Sequence, residues 1–115
     1  MRQFINLVET AQANDLSFID RAIAAVDEAG VPDNVVIDLE DGDNGEVEIK
    51  YLEVPEDLRG QGWGAKVMAV LTHLADHYNV TLFLTAADED LEDFYWRHGF
   101  EGGRHMTRKP RHEAQ

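Results

Sequence analysis

Cysteine is absent from this chain of 115 residues. That excludes disulfides, thiolate metal sites and any covalent route through a cysteine nucleophile. Long apolar runs are missing as well: none approaches the roughly 20 residues that cross a bilayer, and Met1 to Asn6 lacks the pattern of a secretory signal. Positive charge is scarce. Ten Lys/Arg stand against 23 Asp/Glu, a formal net charge of −13. Such a field repels nucleic acid and attracts cations, although solubility or adaptation to high salt leaves the same signature. There are no internal repeats, low-complexity tracts or interdomain linkers. Length and an ordinary hydrophobic content of 43% therefore indicate one domain over residues 1–115, cytoplasmic, with no membrane or nucleic-acid partner.

What is present reads as alternating strands and helices. Phe18, Ile19, Ala22, Ile23 and Val26 fall on one face of a helix over Asp15 to Ala29, which Asn14 or Asp15 can cap and Gly30 with Pro32 ends. Val35 to Leu39 and Glu46 to Val54 read as a hairpin turning at Asp41 to Gly45, with residues 3–8 as a further edge strand. A helix over Ala65 to Tyr78 carries Val67, Val70, Leu71, Leu74 and Tyr78 on its buried stripe, and Asn79 suits its C-cap. Val80 to Thr85 reads as a central strand buried on both faces. A helix over Asp88 to His98 stops at Gly99. The strand–loop–helix–strand unit over 46–86 makes its two strands parallel. The fold class is α/β with a mixed sheet.

Between the second strand and its helix lies Arg59-Gly60-Gln61-Gly62-Trp63-Gly64. A glycine-rich turn that opens a helix is an anion site, because unpaired backbone N–H groups converge there and the helix dipole adds positive potential. The spacing is neither that of a P-loop nor the Rossmann G-x-G-x-x-G. Arg59-x-x-Gly62-x-Gly64 resembles instead the Q/R-x-x-G-x-G/A pyrophosphate loop of the GCN5-related N-acetyltransferases (GNAT family). A second segment, Asp93-Phe94-Tyr95-Trp96-Arg97-His98-Gly99-Phe100, resembles that family's F-Y-x-x-x-G-F, with Tyr95 31 positions after Gly64. Glu101 to Arg108, with Met106, matches the short terminal strand that usually follows in that family, so the resemblance covers roughly residues 46–108. It implies a GNAT-like mixed sheet flanked by helices, with a shortened N-terminal part like that of very small phage-encoded members.

The resemblance further implies acetyl transfer from acetyl-CoA to a primary amine, with no metal. Gly60, Gln61, Gly62, Trp63 and Gly64 would hold the pyrophosphate, aided by Arg59 and Lys66. Leu52, Glu53 and Val54 match the splayed strand whose backbone binds the pantetheine arm and acetyl carbonyl. Tyr95 matches the tyrosine that protonates the departing thiolate, against a plain reading as a core tyrosine beside Leu91. Glu48 matches the glutamate base of the histone-acetyltransferase branch; a solvated strand carboxylate is the plain alternative, and Glu46 and Glu53 compete for the role. Asp88 stands where the family often has an asparagine that contacts the cofactor. The cluster Arg104, Arg108, Lys109 and Arg111 is either a solvated tail or a source of cations for the phosphates of coenzyme A.

The lean front end suits a protein lysine as acceptor, with a polyamine or other small cationic amine second. A non-catalytic acetyl-CoA sensor or an acidic protein-binding module are the readings from another class. Two further patterns carry little. His73 and His77 lie one helical turn apart without a third ligand, and Asp41-x-Asp43-x-Gly45 is out of register for a calcium loop.

Overall fold

The computed structural model describes residues 17–111; the edge strand expected over residues 3–8 lies outside them. The elements run α1 (Phe18–Glu28), β1 (Val36–Asp41), β2 (Val47–Glu53), α2 (Trp63–Tyr78), β3 (Leu82–Thr85), α3 (Glu89–Trp96), β4 (Glu101–Gly102) and β5 (His105–Arg108). Short 3-10 turns occupy Asp43–Gly45 and Glu56–Leu58. The strands form one sheet in the order β1-β2-β3-β5-β4. Among the described strands, only β2 and β3 pair in parallel, which the α2 crossover between them allows; the other neighbours are antiparallel. The α/β class with a mixed sheet is therefore observed.

Local chemistry moves several boundaries. Ser17, rather than Asn14 or Asp15, caps α1: its side chain accepts from the Asp20 N–H at 3.1 Å. Helix α2 begins at Trp63, two residues before Ala65, because Gly62 takes the N-cap position with φ +88°. The chain end is a hairpin and not a single strand. Gly102, at φ +122° and close against the His105 carbonyl, turns the chain so that β5 returns between β3 and β4.

The buried positions Val47, Leu82, Leu84 and Met106 are linked by cross-strand pairing and share one face of the sheet. Ala22 and Val26 of α1 and Val67, Met68, Leu71 and Ala75 of α2 complete that core with Phe100 and Tyr95. The α2 stripe is thus rotated from the sequence expectation. Met68 and Ala75 are buried, Val70 and Leu74 are half-buried, and Tyr78 is exposed, lying edge-on to Phe18 and His77. Strand β3 is central in order but buried on one face only: Phe83 is half-buried and Thr85 exposed.

The register of β1 on β2 breaks once. Asp38 pairs with Tyr51 and Leu39 with Ile49, leaving Lys50 as a bulge. A single inserted residue exchanges the faces of everything beyond it. Ile49 and Leu52 consequently share the core side, whereas strict alternation from Val47 and Ile49 would have turned Tyr51 and Glu53 inward.

Candidate active site

Strands β2 and β3 pair at Val47↔Leu82 and Glu48↔Phe83, and the ladder ends there, although β2 continues to Glu53. Beyond that point the two strands part. A cavity of about 700 Å³ opens at their carboxyl ends, the usual place for a ligand in an open α/β sheet. Its wall consists of Leu52, Glu53, Val54, Arg59, Gly64, Asp88, Asp90, Leu91, Phe94 and Tyr95. Seven of the residues singled out from the sequence meet there: Leu52, Glu53, Val54, Arg59, Gly64, Asp88 and Tyr95.

The loop into α2 is shaped by backbone chemistry. Gly60 and Gly62 both have positive φ, and Gly62 has open space where a Cβ would sit, so glycine serves conformation there and not clearance. Among the described residues no side chain caps α2, which leaves the N–H groups of its first turn for an anionic ligand. Arg59 Nε donates to the Val54 carbonyl at 2.8 Å, tying the loop to the end of β2 and holding the guanidinium at the cavity. Gln61 bridges within the loop, donating to the Asp57 carbonyl and accepting from Trp63 Nε1, both at 3.3 Å.

Helix α3 supplies the opposite wall. Asp88 caps it by accepting from the Leu91 N–H at 2.9 Å, so this carboxylate is engaged by the helix even as it lines the cavity. Leu91, Phe94 and Tyr95 form one stripe, and an added Cβ on Gly64 would touch the Phe94 ring at 3.5 Å. Tyr95 is 7% exposed, with its ring against those of Phe94 and Phe100 at 5.2 and 5.8 Å. Burial pushes its hydroxyl above the ordinary tyrosine value, keeping it a proton donor at neutral pH. Asp90, Leu91 and Phe94 escaped the sequence reading of the site. The i, i+3, i+4 spacing of Leu91, Phe94 and Tyr95 is the signal that could have found the two apolar ones.

Other expected residues lie elsewhere. Glu48 is half-buried on β2 between Glu40 and Phe83, outside the cavity wall. Lys66 lines a separate apolar groove of about 580 Å³ with Ala25, Ala69, Val70, His73 and Leu74. Arg104 is exposed in the β4–β5 turn. Arg108 is no solvated tail cation. It is buried, donating to both carboxylate oxygens of Asp76 at 2.8 and 3.1 Å and to the His98 carbonyl at 3.1 Å. Among the described residues, no group of three or more His, Asp or Glu side chains is placed to hold a metal ion, and no helix is long and apolar enough to cross a membrane.

The family model of the acetyltransferase (GNAT) family matches residues 20–100, more than half of the chain. The chain belongs to the GNAT acetyltransferase family. Its solved likenesses are distant. A protein from Agrobacterium tumefaciens classed as an acetyltransferase is 22% identical with TM-score 0.46, covering 93% of this chain and 96% of its own. The KacTA–DNA complex is 24% identical with TM-score 0.46, covering 64% of this chain and 55% of its own. A variant of the AtaT toxin bound to the C-terminus of the antitoxin AtaR and acetyl-CoA is 22% identical with TM-score 0.44, covering 65% and 55%. The GNAT chain thus spans just over half the length of the KacTA and AtaT chains. No curated protein matches the sequence.

Proposed function

We propose that this chain transfers the acetyl group of acetyl-CoA to a primary amine, with a protein lysine as acceptor. One observation carries the reading: where β2 parts from β3, a cavity gathers the segment Leu52–Val54, Arg59 and Gly64 from the two ends of the glycine loop, and the buried Tyr95. The donor fits its residues. Uncapped amides at α2 and the Arg59 guanidinium suit a pyrophosphate, while Leu52, Val54, Leu91 and Phe94 suit the pantetheine arm. Asp88 and Asp90 oppose an anion electrostatically, and the engagement of Asp88 in capping α3 lessens its part in this.

Acetyl-CoA supplies an activated thioester, and the protein's residues supply placement and protons. Backbone groups of the free stretch of β2 orient the acetyl carbonyl and stabilise the oxyanion. The Tyr95 hydroxyl protonates the departing sulfur. Glu48, back from the cavity on the same strand, acts as base through water. The acidic body favours a cationic acceptor.

Calorimetric titration with acetyl-CoA at moderate salt, for the wild type and for Gly64→Leu, tests the donor half. Binding that the variant loses is the expected result. Absence of binding by the wild type would leave the acidic protein-binding module as the better reading.

A further inference from the structure

The bulge at Lys50 has a consequence for the acceptor. It turns Tyr51 and Glu53 away from the core side that Val47, Ile49 and Leu52 occupy. Both side chains then stand on one face at the carboxyl end of β2, and the Tyr51 hydroxyl donates to Glu53 Oε1 at 2.8 Å. Glu53 also lines the cavity that holds Tyr95. A carboxylate is therefore fixed at the edge of the donor cavity by an aromatic residue that is itself 50% exposed.

From this placement, and resting on the acetyl-transfer reading, we propose that Tyr51 and Glu53 form the acceptor subsite and that it takes an alkylammonium group of the lysine type. Glu53 receives the ammonium head. The Tyr51 bond occupies one of the roughly four lone-pair positions of a carboxylate and leaves the others open. The ring of Tyr51 flanks the alkyl stem and adds a favourable face for the cation. The same carboxylate turns away acidic and phosphorylated acceptors, which gives the pair a role in specificity. Tyr51 acts partly as a positioning residue: its hydroxyl removes the rotational freedom of an otherwise exposed glutamate. Hydrogen bonding to Glu53 raises the Tyr51 pKa, so the hydroxyl stays a donor throughout the neutral range.

The general acidity of the protein is the competing explanation for any attraction of cations, so the control must remove a charge from the same face. Glu40 serves: it is exposed, on β1, and paired with Glu48 outside the cavity wall. The experiment titrates a tri-lysine peptide by calorimetry into the wild type, Glu53→Gln, Tyr51→Phe, Tyr51→Ala and Glu40→Gln, each with and without coenzyme A. Acetyl-CoA affinity is measured on the same samples.

Glu53→Gln is expected to weaken the peptide about tenfold, as for loss of a charge-assisted hydrogen bond. Tyr51→Phe should weaken it a few-fold and Tyr51→Ala more, because the ring is lost as well. Glu40→Gln should match the wild type, and acetyl-CoA affinity should hold in Tyr51→Phe, Tyr51→Ala and Glu40→Gln, while Glu53→Gln should lose more affinity for the peptide than for acetyl-CoA. Where turnover is followed, KM for the peptide rises and kcat changes little. Equal losses in Glu53→Gln and Glu40→Gln would overturn the proposal, as attraction by net charge alone. So would a Glu53→Gln variant that keeps the peptide and loses acetyl-CoA, since that carboxylate would then serve the donor. A wild type that binds the peptide through Glu53 but not acetyl-CoA would overturn the acetyl-transfer reading and leave the cation subsite standing.

Discussion

The two ends of α2 solve the same problem in opposite ways. Every helix leaves N–H groups unpaired at its start and carbonyls unpaired at its end. At the end of α2, the chain supplies partners of its own. Asn79 takes the left-handed conformation and its N–H donates to the Ala75 and Asp76 carbonyls, while the Asp76 side chain is held by the two terminal nitrogens of Arg108 and by the Arg111 N–H at 2.7 Å. Cations at a helix C-terminus also favour the macrodipole. At the start of α2, the residue before the helix is a glycine with no capping side chain, beside a cavity of about 700 Å³. One end serves stability and the other is left available for a ligand, so substitutions at the closed end should act mainly on folding and those at the open end mainly on ligand binding and turnover.

The largest expected effect lies across the cavity from the open end. Tyr95→Phe keeps the ring packing against Phe94 and Phe100 and removes only the hydroxyl, so kcat should fall on the order of 100-fold or more with little change in melting temperature. A comparable loss of fold would make Tyr95 a core residue and nothing else. The counterpart at the closed end is Arg108→Ala. It leaves the half-buried Asp76 without its main partner and should cost about 3 kcal/mol. Thermal unfolding should drop by more than 10 °C, at roughly 4–8 °C per kcal/mol in a domain of this size. Acetyl-CoA affinity measured well below the transition should survive. Loss of affinity there would mean that the two ends of α2 are coupled.

Gly62→Val comes next and touches both properties. A β-branched residue at φ +88° is strained by about 1–2 kcal/mol, and straightening the loop would withdraw the first-turn amides. Donor affinity should fall about tenfold, more than stability alone accounts for. Smaller still is Glu48→Gln, with turnover reduced several-fold at neutral pH and recovering as pH rises. Full activity at all pH values would pass the base role to another group.

Much of the open end was legible in the sequence because its signals are local. Alternating glycines before a helical stripe and a helix stop at Gly99 specify backbone shape within a few residues, and the parallel unit follows from connectivity. The closed end was not legible. Arg108 reads as one more cation in a basic tail, and only the hairpin at Gly102 brings β5 back beside α2, where Asp76 can take it. The bulge at Lys50 was hidden for a related reason. Glu46 to Val54 alternates plausibly in either register, and the choice is made by β1 across the sheet, through Leu39 on Ile49 and Ile37 on Leu52. The rotated stripe of α2 has the same origin, since Met68 and Ala75 are selected by what α1 and the sheet present to them.

Acid should act on the closed end in two separate windows. His98 is held below the ordinary histidine pKa, first by burial and then by the charges of Arg97 and Arg108. Its neutral form is thus favoured in the folded state. The contribution is complete above the unfolded value near 6.5 and is lost as pH falls through the depressed folded value. Asp76 is held below its ordinary value, chiefly by its hydrogen bonds from Arg108, so its contribution is complete above about 3.9 and is lost only at lower pH still. A chain of net charge −13 also sheds self-repulsion as its carboxylates protonate, an opposing trend that a single unfolding curve cannot separate. The difference between wild type and His98→Gln can, because the background carboxylates are common to both. That difference should be flat above pH 7, change between about pH 6.5 and the folded value of His98, and be flat again below it. A difference that is constant throughout would mean that His98 is equally easy to protonate in both states, and the upper window would then belong to some other group.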